Sequence, residues 1–352
     1  MSSLSTVQIA MAGEALIDLI SRPDGAFEPC LGGAVYNLSR ALSLQGLGTL
    51  YLNPFSQDRF GRALRQQMVD DGVQLSQAAP VTAPTSLAVV ALDPNGHPDY
   101  AFYRQGVADR QVSATQLNAA CAPTLTPVLQ WVGTGGLALD PQDAGVYLPW
   151  LKAQREAGRW VAVDANLRPS VMPDLAAYRA HIMTLLAQAD LVKVSDEDLQ
   201  HLQVPGDDAL AQARHLLTQT PAQCLALTLG AGGAYLLSRT GQTWFAQEQK
   251  PLSVVDTVGA GDSFLAGLLA ALTSALNPLT PSTPSTPSTP STPSTPSITL
   301  SPAMGDQVLR HALASASLCV QERGCVPPSF AASQAWSAQH PALTRFQDAA
   351  SK

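Results

Sequence analysis

Asp256-Thr257-Val258-Gly259-Ala260-Gly261-Asp262-Ser263-Phe264 runs directly into an apolar stretch, residues 265–272, with the composition of a buried helix. Glycines at 259 and 261 let the backbone approach a ligand closely and adopt positive φ. A helix beginning here aims free N–H groups and the positive end of its dipole at one point, a natural receptor for anionic oxygen. A carboxylate at such a point, Asp262, has two readings. It is either an N-cap for the helix or a base that takes a proton from a hydroxyl as that oxygen attacks a phosphoryl group. Residue type alone favours the cap; the Gly-x-Gly-Asp spacing favours the base.

Upstream of this stretch the chain alternates short apolar strands with helical segments. The strands are Trp131-Val132-Gly133 and residues 160–163, 191–194 and 224–229. That rhythm predicts βαβ units and a parallel sheet. The N-terminal third reads differently. An opening strand at 7–11 leads to Gly13-Glu14-Ala15-Leu16-Ile17-Asp18, and the pair Gly32-Gly33 precedes a helical pattern over Ala34–Leu44. Two β-rich runs between Ser86 and Tyr103 flank Asp93-Pro94-Asn95-Gly96, a hairpin signal. The expectation is a single α/β domain over residues 1–352, with a small β element drawn from about 13–37 and 86–110. Residues 278–302 stand apart. There the Ser-Thr-Pro triplet repeats five times between Ser282 and Pro296, which predicts a disordered or polyproline-like insert.

Bulk properties exclude several functions. The net charge is −7, and only four of the 20 basic residues are lysines. With no basic cluster, nucleic acid is not an expected partner. No apolar run reaches the roughly 18 residues that cross a bilayer. Residues 1–20 lack a basic leader, so no membrane association is expected and the cytoplasm is the default location. Five scattered cysteines, none in a C-x-x-C pair, suggest neither a disulfide framework nor a zinc site.

The Asp262 stretch resembles the C-terminal signature of the ribokinase-like (pfkB-type) carbohydrate kinases. Leu31-Gly32-Gly33-Ala34-Val35-Tyr36-Asn37 is similar to that family's sugar-binding di-glycine motif, some 230 residues earlier and in the right order. The resemblance covers essentially the whole chain apart from the insert. It implies a three-layer α/β/α core with a mostly parallel sheet, a small β-sheet lid, and a fructokinase-like transfer of phosphate from Mg·ATP to a sugar hydroxyl. Asp262 would be the base, and Gly259, Ala260 and Gly261 the anion hole. Asp18, Gly32, Gly33, Asn37, Tyr103, Arg104, Asn166 and Arg168 would face the sugar. The last two lie in Asp164-Ala165-Asn166-Leu167-Arg168-Pro169, which resembles a D-x-N-x-R segment of fructokinases, although those residues could equally shape a loop. Arg104 could serve hydroxyls, or a carboxylate on the acceptor.

Thr228-Leu229-Gly230-Ala231-Gly232-Gly233 resembles the nucleotide-binding turn; it is neither a Walker A loop nor a dinucleotide fingerprint. Thr228, Gly230, Gly233 and Ser317 would border ATP, and Lys193 would either reach a phosphate or cap the acidic run that follows it. That run, Ser195-Asp196-Glu197-Asp198, occupies the place of an N-x-x-E motif and departs from it at both named positions. Glu197 or Asp198 would hold Mg²⁺ through water, and Asp256 matches a position that binds a monovalent cation such as K⁺. A homodimer through the lid is a further implication. Fructose is the acceptor the resemblance favours. The alternatives are 2-keto-3-deoxygluconate, ribose or a nucleoside, and, in another class, a catalytically inactive sugar sensor.

Overall fold

The computed structural model describes residues 6–22, 24–76, 79–92, 98–276 and 297–348. Along the core strands, alternate residues point to opposite faces and divide the interior in two. Ile9, Met11, Trp131, Ala162 and Leu191 enter one apolar cluster. Ala10, Val132, Val161, Val163 and Val192, their chain neighbours, enter the other. A sheet buried on both sides needs helices on both faces. Ala34–Leu44, Ala260–Leu276 and Pro302–Cys319 cover the first, and Ala144–Glu156, Leu175–Leu186 and Ala209–Gln219 the second. The result is the expected three-layer α/β/α core.

In chain order the strands are β1 (Ile9–Met11), β2 (Leu16–Ser21), β3 (Phe27–Gly32), β4 (Thr49–Tyr51), β5 (Gln74–Leu75), β6 (Ser86–Leu92) and β7 (Pro98–Tyr103). They continue as β8 (Trp131–Gly135), β9 (Trp160–Asp164), β10 (Leu191–Ser195), β11 (Cys224–Thr228), β12 (Ala234–Ser238), β13 (Thr243–Gln247) and β14 (Leu343–Gln347). The large sheet has the order β14-β13-β12-β11-β10-β9-β8-β1-β4-β5. Pairing is parallel from β5 through to β11, and antiparallel for β12, β13 and β14. The small sheet has the order β3-β2-β6-β7. Its hairpin β6–β7 closes with Leu92 opposite Pro98; the predicted Asp-Pro-Asn-Gly turn lies outside the described residues.

The helix carrying Asp262 is fixed by its neighbour. A Cβ built on Gly267 would fall 3.1 Å from the Ala312 Cα, so glycine there lets the helices Ala260–Leu276 and Pro302–Cys319 pack backbone to backbone. The second helix is in turn seated on β13. Trp244 lies against Gly305, where a Cβ would come within 2.2 Å of the indole, and Trp244 Nε1 donates to Pro302 O at 2.8 Å. This corrects the extent of the expected insert. Of residues 278–302, those up to 296 lie outside the described residues, but two of the remainder are packed into the core. Ile298 and Leu300 are each 4% exposed, and Pro302 already belongs to the helix. Two apolar residues after so long a polar run were too short a pattern to read as core.

Candidate active site

The C-terminal ends of adjacent parallel strands lie side by side, the usual place for a ligand in an open α/β sheet. Gly135, Asp164, Lys193 and Ser195, and Thr228 terminate or lie near the ends of β8, β9, β10 and β11, in register with one another. The start of the helix Ala260–Leu276 faces this row. Gly259 has φ 77°, a conformation that suits glycine, and a Cβ there would strike the Cys325 Sγ at 2.2 Å. The turn is anchored by Asp256, whose Oδ1 accepts from Val258 N at 3.0 Å and Oδ2 from Gly324 N at 2.9 Å. Asp256 was expected as a monovalent-cation ligand; both of its oxygens are engaged by backbone amides.

Within the anion hole the expectation needs one revision. Ala260 N donates to Thr257 O at 3.2 Å, so it is not free. The amides of Gly259, Gly261 and Asp262 find no acceptor among the described residues. Three N–H groups therefore remain to meet an anion at the positive end of the helix.

Asp262 is 7% exposed. Burial pushes its carboxyl up to about 7, and the neighbouring Asp164 adds to the rise. Lys193, a hydrogen bond from the Asn37 side chain, and Arg168 oppose it. A carboxyl with that proton affinity is suited to taking a proton near neutral pH. Asn37 comes from the helix Ala34–Leu44, whose start is set by the di-glycine. Gly33 has φ 110°, and a Cβ on it would press within 2.9 Å of Glu14 O. Gly32 leaves room for the Asp18 carboxylate, since a Cβ there would lie 2.1 Å from its Oδ2. Asp18, on lid strand β2, is itself raised to about 6 by burial, with Arg168 of the core opposing. The charge of Arg168, from the core, thus reaches Asp18 on the small sheet. Arg168 also grips its own loop, donating to Asn166 Oδ1 at 2.6 Å and Leu167 O at 3.0 Å, while Asn166 sits at φ 33°.

Other candidates are engaged differently from what their positions in the sequence suggested. Arg104 is buried and paired with Asp140 at 3.3 Å and Asp143 at 3.6 Å, while its neighbour Tyr103 is 61% exposed. Lys193 is 5% exposed, and its Nζ lies 3.1 and 3.3 Å from the two oxygens of Asp164. Ser317 donates to Glu248 Oε1 at 2.6 Å. Thr228 ends β11; Gly230 and Gly233, at φ 52° and 92°, shape the turn that follows it. A Cβ on Gly233 would collide with Ala246 O at 2.3 Å.

Asp198 is buried as the N3 residue of a capping box, accepting from Ser195 N and Leu167 N, each at 2.8 Å. Glu197 beside it is exposed. No group of three or more His, Cys, Asp or Glu able to hold a metal occurs among the described residues. Of these two carboxylates Glu197 is the one not committed to the cap, and an exposed carboxylate fits a hydrated ion.

Glu14 is a residue of the site's framework that sequence reasoning left without a role. It is 2% exposed, and its Oε1 accepts from Ala34 N at 3.1 Å and Leu137 N at 3.2 Å. It ties the end of β1 to the start of the di-glycine helix and to the turn after β8. An acidic residue between apolar neighbours, four places before Asp18, was the available signal.

A buried carboxyl and free amides at a helix start, set against a row of parallel-strand ends with a second small sheet in the fold, fit a phosphoryl-transfer site of the ribokinase-like architecture. Residues 7–331 match the pfkB family carbohydrate kinases, and the chain belongs to that family. It is 35% identical over 269 residues to a fructokinase of Rhizobium leguminosarum bv. trifolii, covering 75% of this chain and 79% of that protein. The crystal structure of a Xylella fastidiosa fructokinase with bound ATP superposes with a TM-score of 0.77 at 26% identity, over 95% of this chain and 99% of that one. A Vibrio cholerae O395 fructokinase, solved with fructose, ADP and calcium ion, shares the fold at a TM-score of 0.74 and 23% identity, over 94% and 99% of the two chains. No helix among the described residues is long and apolar enough to cross a membrane.

Proposed function

We propose that the protein transfers the γ-phosphoryl group of Mg·ATP to a hydroxyl of fructose. The observation that carries this reading is the buried Asp262 carboxyl, pushed up to about 7, beside free amides at the start of an apolar helix. In the proposed reaction Asp262 accepts the hydroxyl proton as the sugar oxygen attacks in line. The amides of Gly259, Gly261 and Asp262 face the charge that gathers on the transferring group. Mg²⁺, bound with ATP, supplies neutralisation of phosphate charge. Asn37 lies beside the Asp262 carboxylate and favours its ionised form. Asp18, Asn166 and Arg168 bind sugar hydroxyls, and Thr228, Gly230 and Gly233 border the nucleotide. The lid excludes water, the competing acceptor.

The engagement of Arg104 supports a neutral acceptor. Its charge is already met by Asp140 and Asp143 in a buried setting. A substrate carboxylate, as in 2-keto-3-deoxygluconate, would have to break those pairs. The names and bound sugar of the related fructokinases point the same way.

The test is ADP release by the purified protein with Mg·ATP against fructose, ribose, 2-keto-3-deoxygluconate, glucose and adenosine. Turnover with fructose in preference to the others is the expected result; absence of turnover with all five would refute the assignment. Asp262→Asn should lower turnover by roughly 10²- to 10⁴-fold, the usual span of general-base catalysis, while sugar and nucleotide still bind.

A further inference from the structure

We propose that Lys193 and Asp164 act as a buried pair of positioning residues that set Asp262 for its work as the base. The proposal rests on the reading of Asp262 given above. Asp164 is the last residue of β9 and Lys193 its Cα partner on β10, so the parallel ladder itself places them together. The ammonium lies within 3.3 Å of both carboxylate oxygens, and the two residues are 5% and 2% exposed. The same ammonium would be 3.2 Å from a Cβ on Gly261, the residue before the base. It therefore lies against the turn that leads into the helix, beside the residue that precedes Asp262.

Stability does not account for such a pair. Taking two charges out of water costs several kcal/mol, and an apolar pair of similar size would join the strands at least as well. What an apolar pair could not do is act on the field at Asp262. The groups facing that carboxyl are Asp164 from β9, Lys193 from β10, Arg168 from the following loop, the Asn37 amide, and the Cys325 thiol from the loop after Pro302–Cys319. Asp198 faces Lys193 from the other side. Asp164 and Lys193 push the Asp262 proton affinity in opposite directions: the carboxylate raises it and the ammonium lowers it. Without Lys193, the base would be protonated, and idle, at neutral pH. Without Asp164, Lys193 and Arg168 would hold it as a weak carboxylate with little affinity for the departing proton.

The experiment is the pH dependence of kcat/KM for the sugar, with ATP saturating, in Lys193→Met, Asp164→Asn and the double variant. Lys193→Met should move the acidic limb up and Asp164→Asn should move it down, each by roughly one to three pH units, the effect of an opposite or like charge close to a carboxyl. The double variant should return most of the way to the parent, and the KM for ATP should stay within about threefold in all of them. Opposite shifts are what a merely structural pair would not give. Limbs that stay in place while kcat falls equally at every pH would overturn the proposal. So would a severalfold rise in the KM for ATP with the limb unmoved, which would return Lys193 to the nucleotide. If Lys193→Met proves too unstable to purify, the downward shift in Asp164→Asn and its reversal in the double variant decide the matter. Failure of the base assignment is seen separately, as retained turnover in Asp262→Asn.

Discussion

A carboxyl buried within the protein costs stability once it ionises, and Asp262 makes that cost measurable. Its folded proton affinity, about 7, lies above the ordinary 3.8 because burial disfavours the anion. The sign follows from linkage: the contribution to stability is fully present below about pH 4 and is lost as pH rises through about 7. Each tenfold difference in proton affinity between the folded and unfolded chain corresponds to about 1.4 kcal/mol. Asp262→Asn, which cannot ionise, should therefore be more stable than the parent at pH 8, by on the order of 2–4 kcal/mol. At pH 4 the two should be nearly equal. Denaturant unfolding at the two pH values checks this, and equal stabilities at pH 8 would mean that the carboxyl is not held in a desolvating environment. Together with the loss of turnover expected of the same substitution, this would be a trade of stability for activity at a single side chain.

Elements enter the site through their ends, and the ends are held by side chains from elsewhere. Glu14 is the clearest case, because one buried carboxylate oxygen satisfies the first free amide of the helix Ala34–Leu44 and the Leu137 amide in the turn after β8. Removing it leaves two N–H groups without partners in a buried region. Glu14→Ala should therefore cost on the order of 3 kcal/mol, read from the urea midpoint. Glu14→Gln keeps an acceptor oxygen and should lose less than half as much. Because Asn37 lies on the same helix, Glu14→Ala should also lower kcat beyond what the lost stability explains. The Asp256 turn has the same logic, with one carboxylate joining the anion hole to Gly324.

At the scale of the whole molecule, none of the residues gathered at the candidate site belongs to the Ser-Thr-Pro repeats. The helix that carries Asp262 is described as far as Leu276, and Ile298 is buried in the core. Loop-closure cost changes by only about 0.6 kcal/mol per doubling of length. Deleting two of the five Ser-Thr-Pro triplets should therefore leave kcat/KM within twofold and the Tm within about 2 °C. A large loss of activity would assign the repeats a role in the kinase. The order β3-β2-β6-β7 of the lid likewise explains why Asp18 and Tyr103, 85 positions apart (103 minus 18), belong to one small sheet.

The amino-acid sequence by itself determined the layers and the kinase family. Short, near-continuous apolar strands alternating with helices demand a sheet covered on both faces. Gly259-Ala260-Gly261-Asp262 and Gly32-Gly33 encode local backbone shapes that few other residues could adopt. Those signals are legible because they depend on neighbours along the chain. Tertiary structure alone decided the partners. Arg104 turns inward because Asp140 and Asp143, more than 30 residues away, are buried beside it. Lys193 meets Asp164 because β9 and β10 pair in one register and not another. Burial and pairing are set by which surfaces meet, so the charge a side chain offers to a ligand could be read only once the strands and helices were in place.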